Sequence, residues 1–348
     1  MAQMISVCIP AFNCAKTIES CLESVLSQND GGIEIVIVND GSRDGTQEKC
    51  ASYAKKHGNV TLYSQDNRGQ IAARQQCIRM ARGDYSVFLD ADDELCQGAL
   101  ELLNQHIEAS HSDVYFFDWR YDSSTGQIVS PPFRREGAIS KKEVVETFSR
   151  TGKINAMWSH AVKTSLLREA LVSGFEDLRF GEDAVQSSVI FAKAATFYYF
   201  STPFYIYRQN SFGVTHALDI SKRYFDLEYV RQYLYVYYLR LADKEKILSV
   251  DEMSRLHNNL DAVYLENTIN LIWQCYRHLS GDNIKWIRYL PKSSLFRSAS
   301  RLSVCVRLPI RYLFLVVLVK LKVNNLLIHL YGLIGKGDAK CDAEGTCG

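Results

Sequence analysis

Residues 1–119 alternate short apolar runs with amphipathic stretches, and no other feature of the chain restricts its fold so tightly. Ile5–Pro10, Ile33–Asn39, Val60–Tyr63, Tyr85–Leu89 and Val114–Trp119 read as strands, and Lys16–Leu26, Thr46–His57, Gln70–Arg82 and Gly98–Ala109 as the helices between them. Asn13 is placed to cap the first helix, Asp44 and Gln47 have capping-box spacing at the second, and Gly83 stops the third. Strand–helix units joined by short loops predict an α/β fold, a mostly parallel sheet flanked by helices on both faces. Loops that follow parallel strands open onto one crevice, where such sheets bind ligands.

The residues at those loops are unusually polar. They are Pro10-Ala11-Phe12-Asn13, Asn39-Asp40-Gly41-Ser42, Gln65-Asp66-Asn67-Arg68-Gly69 and Asp90-Ala91-Asp92-Asp93. Taken singly, each also serves as a turn or a helix cap; together they make a polar rim that favours a nucleotide site. Three carboxylates packed into Asp90–Asp93 repel one another unless something positive lies between them, and a hard divalent cation bound to a phosphate meets that need. The Gly-x-Gly-x-x-Gly fingerprint and the Walker A pattern are both absent, which argues against a dehydrogenase and a P-loop NTPase.

Beyond Tyr121 the alternation breaks. Asp122–Gly126 reads as a hairpin turn, followed by helices Lys141–Arg150, Ser165–Leu171 and Ala184–Ala194 and strands Phe197–Phe200 and Phe204–Tyr207. Residues 219–279 read as two Tyr-rich helices split near Asp243–Ser249. This divides the chain into an alternating α/β half (1–120), a mixed half (121–218), a helical extension (219–295), a basic amphipathic segment (296–337) and a tail (338–348).

Four segments, Ser6–Asn13, Glu34–Thr46, Asn67–Arg74 and Gly83–Asp93, are together similar to the family-2 glycosyltransferases of GT-A fold. The resemblance covers residues 4–95 in order, weakens over 150–215 and does not extend past about 220. It implies that Pro10, Ala11 and Asn13 line the base and ribose pocket, with Asn67 also on the donor side. Asp40 would accept a hydrogen bond from the uracil N–H, Arg74 would approach the diphosphate, and Asp90 would hold ribose hydroxyls. Asp92 would ligate Mn2+ or Mg2+, while Asp93 would support the metal or meet the sugar. The chain departs from the family at Asn39, where an Asp is usual, and at Gln75, where an Asn is usual. Downstream, Glu182-Asp183 looks like the pair this family sets against the acceptor, with Asp183 as the base that deprotonates the attacking hydroxyl and Glu182 orienting it; a helix N-cap is the plainer reading. Trp158 reads as a sugar-stacking aromatic or a core Trp. Tyr207–His216 resembles a late loop over the donor phosphates, where Arg208 or His216 would contact the diphosphate.

Composition adds context. The ten cysteines form no Cys-x-x-Cys pair, as expected of free thiols in a reducing cytoplasm, and no signal peptide precedes the first strand. Residues 283–337 carry ten Lys/Arg and no Asp/Glu, whereas residues 1–282 hold 29 basic and 36 acidic residues. Phe296–Ile334 mixes those bases with apolar residues, but its longest apolar run, Tyr312–Val319, is too short to span a bilayer. It reads as an interfacial helix on an anionic leaflet, with no nucleic-acid motif beside it. The expected activity is an inverting, metal-dependent transfer of a hexose or N-acetylhexosamine from a UDP-sugar. The acceptor would be a lipid-diphosphate-linked glycan of bacterial O-antigen or capsule synthesis, at the cytoplasmic face of the plasma membrane, and the product a β-linkage. A sugar-phosphate nucleotidyltransferase and a non-catalytic nucleotide-sugar-binding subunit are the alternatives.

Overall fold

The computed structural model describes residues 4–28, 32–123, 125–175, 177–208, 220–245, 247–277, 281–305, 308, 312, 316–317 and 319–320. The chain forms two units, Met1–Gly213 and Val214–Gly348.

The first unit is built on a ten-stranded sheet. Strands β1 (Ile5–Ala11), β2 (Ile33–Asp40), β3 (Val60–Gln65) and β4 (Tyr85–Phe88) are separated by helices α1 (Ile18–Leu26), α2 (Thr46–Lys56) and α3 (Gln70–Met80). There follow β5 (Glu94–Leu95), α4 (Ala99–Ser110), β6 (Val114–Tyr121), β7 (Ile128–Val129), β8 (Gly137–Ile139) and α5 (Lys141–Arg150). The unit closes with β9 (His160–Lys163), α6 (Thr164–Glu169), α7 (Glu182–Lys193) and β10 (Phe197–Tyr207). The spatial order is β3-β2-β1-β4-β9-β6-β10-β5, with β7 on β6 and β8 on β10. The β3-β2-β1-β4 pairs and β6-β10 are parallel, and β9 runs antiparallel between β4 and β6. All eight residues of β2 are buried, which is why Ile33–Val38 reads as a nearly continuous apolar run. Ile18, Cys21, Leu22 and Val25 of α1 and Leu100, Leu103 and Ile107 of α4 lay helical stripes on Val7, Ile9, Ile35, Ile37 and Val87.

Three local readings change. Asn13 does not cap α1, whose N-cap Thr17 makes no side-chain capping bond. Gln47 does not close a capping box: its Oε1 accepts from Asn39 Nδ2 (2.6 Å) and Ser64 Oγ (2.7 Å), while Asp44 Oδ1 accepts from Thr46 N (3.0 Å). Finally, Phe197–Tyr207 is one strand, not two, with register shifts around Pro203, a residue that cannot donate to the ladder.

The second unit contains helices α8 (Ile220–Glu245) and α9 (Val250–Arg277), then α10 (Gly281–Tyr289), α11 (Ser294–Ala299) and α12 (Leu302–Cys305). Contacts Tyr224–Tyr264, Arg231–Asp261 and Tyr235–His257 run in opposite directions along α8 and α9, so the pair is antiparallel. Ser249 and Glu252 cap α9 reciprocally, Ser249 N donating to Glu252 Oε2 (2.8 Å) and Glu252 N to Ser249 Oγ (3.3 Å). Only part of the expected interfacial segment over 296–337 is described. Phe296, Val304, Val316 and Val319 are buried, and Cys305, Tyr312 and Val316 pack with Ile269 of α9. Arg301 Nη1 donates to buried Asp261 Oδ2 (2.7 Å). In the same stretch Leu302 and Val317 are 77% and 42% exposed; residues 321–337 and the tail 338–348 lie outside the described residues.

Candidate active site

Strand β1 lies between β2 and β4, and the chain leaves it in opposite directions, so the loops after β1, β2 and β4 open a crevice at the sheet's carboxyl edge. Hydrogen bonds lace the first two loops together. Asn13 sits at φ 50, a left-handed conformation Asn tolerates. Its N donates to Ser42 Oγ (3.0 Å) and its Oδ1 accepts from Arg43 N (2.8 Å). Pro10 pairs in register with Val38 and is half-buried, while Ala11 is buried.

Asp40 has duties inside the protein. Its Oδ1 accepts from Gln65 Nε2 (2.7 Å) and Arg68 N (2.9 Å), and its Oδ2 accepts from Gly69 N (2.8 Å). Asn67 Nδ2 donates to the Asp40 carbonyl (3.0 Å). Asp40 is buried, and three of its roughly four acceptor positions hold the β3–α3 loop in place.

The acidic loop after β4 is fixed from several sides. Asp93 N donates to the Asp90 carbonyl (3.0 Å), Thr17 Oγ1 to the Ala91 carbonyl (2.9 Å) and Asp90 N to Tyr205 Oη (3.2 Å). Asp93 is buried; its Oδ2 accepts from Tyr205 Oη (2.6 Å) and its Oδ1 from Arg208 N (2.7 Å). Burial, with the Asp90 charge adding to it, pushes the Asp93 carboxyl up to about 8. Asp93 thus braces this loop against the end of β10. Asp92 is half-buried on the same loop.

Arg74 is the hub of the site. Its side chain is 1% exposed, Nη1 donates to Asp183 Oδ1, and Glu182 Oε1 and Asp90 Oδ1 lie 3.8 and 3.7 Å from the guanidinium. The Gln70 amide, oriented to suit its neighbours, donates to Glu182 Oε1 (3.1 Å) and accepts from Arg74 Nη2 (2.7 Å). Glu182 and Asp183 form the first turn of α7 itself, behind Gly181 at φ 81, where the helix dipole favours negative charge. One cation among three carboxylates leaves the cluster short of positive charge. Burial pushes Asp90 up to about 7 against the pull of Arg74, and burial with the neighbouring Asp183 charge pushes Glu182 up to about 8.

That shortage, in an all-oxygen donor set, fits a divalent cation. Among the described residues, no group of three or more His, Cys, Asp or Glu is arranged to hold a metal alone. A cation here must complete its shell with phosphate oxygens and water, the usual habit of Mg2+.

An aromatic wall stands beside the acids, at the ends of β6 and β10 and the start of β9. Trp158 stacks on Tyr205 (4.5 Å between centroids, 19°) and meets Trp119 edge-on (5.2 Å, 88°), with Tyr207 at 5.9 Å. Arg208 clasps this corner, with Nη2 2.9 Å from Glu94 Oε1, Nε 3.2 Å from Asp122 Oδ2 and Nη1 donating to Ser20 Oγ (3.2 Å). The rest of the expected late loop, Gln209–His216, lies outside the described residues. Tyr205, Tyr207 and Trp119 were not legible as site residues, because they stand in apolar strands. The alternation of Tyr205 and Tyr207 in Phe204–Tyr207 is the one available signal, since it puts both on one face.

The parallel nucleotide-type sheet, its acidic loop and the Glu-Asp pair define a GT-A glycosyltransferase fold. Residues 6–162 match the model of glycosyl transferase family 2. The chain is 30% identical over 219 residues to the uncharacterized glycosyltransferase EpsJ of Bacillus subtilis, a match covering 62% of this chain and 64% of EpsJ. It thus spans less than two thirds of EpsJ. It is 26% identical over 250 residues to glycosyltransferase GlyG of Streptococcus pneumoniae, covering 70% of this chain and 81% of GlyG. Among solved structures, S. aureus TarS 1-349 superposes with a TM-score of 0.63 at 19% identity, covering 99% of this chain and 92% of that one; TarS has also been solved with UDP and with UDP-GlcNAc.

Proposed function

We propose that the chain is an inverting glycosyltransferase that moves a hexose or N-acetylhexosamine from a UDP-sugar to a hydroxyl of a lipid-diphosphate-linked glycan. Its setting is bacterial surface polysaccharide synthesis at the cytoplasmic membrane face, in the manner of O-antigen or capsule assembly. The observation that carries the reading is the Arg74 bridge, which ties Asp90 on the acidic donor loop to Asp183 at the head of α7. The TarS complexes with UDP and UDP-GlcNAc support the choice of donor.

In this reading Pro10, Ala11, Asn13 and Asn67 line the nucleoside side of the crevice, and Asp40 shapes it by holding the Arg68–Gly69 backbone. Asp90 faces the ribose, and Asp92 together with the diphosphate holds Mn2+ or Mg2+, which would neutralise charge on the leaving UDP. Asp183 is the base. Arg74 occupies its Oδ1, and about a quarter of its side chain, 25%, remains exposed to receive a proton. As the acceptor oxygen bonds to the anomeric carbon, the bond to the diphosphate breaks and the hydroxyl proton passes to Asp183. Attack opposite the leaving group turns an α-linked donor into a β-linked product. Glu182, held by Gln70, orients the acceptor, and Trp158 offers a flat apolar face to a sugar ring.

Asp183→Asn tests this. UDP release from a panel of UDP-sugars, with lipid-diphosphate-linked acceptor, should fall by about 100-fold or more while UDP affinity stays unchanged. A near-wild-type rate would remove Asp183 as base and favour the non-catalytic alternative.

A further inference from the structure

Among the described side chains of helix α8, Lys222, Phe225, Tyr229, Gln232, Val236 and Arg240 are exposed and spaced three or four residues apart, hence on one face; Glu245, at the helix end, is exposed off that face. Phe225, Tyr229 and Val236 are 51%, 50% and 44% exposed. Tyr289, at the end of α10, sets its ring 5.8 Å from Phe225 and lengthens the strip. Contiguous exposed aromatics on a folded unit mark a surface that meets something.

The exposed charges described within the strip and beside Tyr289 are of one sign. Lys222 and Arg240 end it, and Arg288 and Lys292 are exposed next to Tyr289 in sequence. The acids of this stretch turn inward: Asp226 is 8% exposed and pairs loosely with Lys222 (3.8 Å), while Glu228 accepts hydrogen bonds from Tyr224 and Ser293. An apolar centre with aromatic residues and a cationic rim is the pattern of a helix lying in a headgroup layer. A second copy of the chain fits this face less well, because a twofold contact would bring the same cations together. In the described part of the basic segment Tyr312, Val316 and Val319 are buried in the unit, while Leu302 and Val317 are exposed. Among the described residues no helix is long and apolar enough to cross a membrane, so contact with a bilayer through them is in-plane.

We propose that the α8–Tyr289 face lies on an anionic phospholipid surface, with Phe225, Tyr229, Val236 and Tyr289 at the acyl boundary and Lys222, Arg240, Arg288 and Lys292 over the headgroups. The inference rests on the membrane-bound acceptor reading above and names the surface that would serve it.

The test is flotation of the full chain with phosphatidylcholine vesicles, with and without phosphatidylglycerol. The wild type should float with the anionic vesicles. Phe225→Ser with Tyr229→Ser, and separately Lys222→Glu with Arg240→Glu, should each lower partitioning by roughly tenfold or more. Several results would overturn the assignment: both variants floating like the wild type, no flotation at any phosphatidylglycerol content, or a lipid-independent dimer that Phe225→Ser dissolves. The UDP-induced melting shift, read on the same samples, separates the two readings. Variants that keep the shift are folded and still bind donor, whereas a wild type that floats but shows no shift counts against the transferase reading alone.

Discussion

Arg74 shows how a buried charge can organise a site from a distance. It sits on α3, yet its strongest partner, Asp183, lies 109 residues further along the chain. The sequence marks Arg74 as important through its motif but offers no local pattern linking it to α7, so its partner was not legible. Replacing it with Met should leave Asp90, Glu182 and Asp183 without their shared cation. Breaking a buried pair costs about 3–5 kcal/mol, so Arg74→Met should melt well below the wild type in a thermal scan. Arg74→Lys keeps the charge but not the planar fork, and should fall between the two. An unchanged melt for Arg74→Met would mean the bridge carries little. Tyr205→Phe removes one hydroxyl that serves both Asp93 and the Asp90 backbone; a loss of roughly 1–3 kcal/mol is expected from chemical denaturation.

Elements tell a more even story. The strand–helix alternation located every major element of residues 1–119 within a few residues, because burial on one or both faces imposes its period directly on the sequence. The antiparallel β9 was missed, as four residues, His160–Lys163, are too few to show a period. Within β9, His160 is buried between Phe116 and Phe191, and burial lowers its pKa to about 3. The unfolded chain takes up this proton near pH 6.5 and the folded chain only near pH 3. Its contribution to stability is therefore complete above pH 6.5 and lost as pH falls between those values, at up to about 1.4 kcal/mol per pH unit. His160→Phe should flatten the fall in melting temperature over that window; an equally steep fall would place the acid sensitivity elsewhere. Gly83 illustrates a backbone constraint: a Cβ there would lie 2.7 Å from both Met4 O and Ser6 N. Gly83→Ala should push β1 and cost roughly 1–3 kcal/mol, measurable by urea unfolding.

At the scale of the whole molecule, the second unit was legible as a helical pair but not as a closed core. Amphipathic sequence alone does not say whether an apolar stripe meets lipid or protein, and for Tyr312, Val316 and Val319 the answer is protein. A chain ending at residue 295 should therefore lose the packing around Ile269 and open the helical unit to limited proteolysis, whereas a chain ending at residue 320 should resist it. Equal resistance would contradict the packing described. The central claim is that the crevice of the first unit binds a uridine diphosphate donor through a metal-bridged acidic loop. It is tested most directly by the melting temperature of the full chain with UDP, GDP, dTDP and CMP, first with Mn2+ and then with excess chelator, since a ligand that binds only the folded state raises that temperature by mass action. A rise with UDP that chelator removes and Asp92→Ala abolishes is the predicted result; no rise with UDP, or a rise indifferent to both chelator and Asp92→Ala, would contradict it.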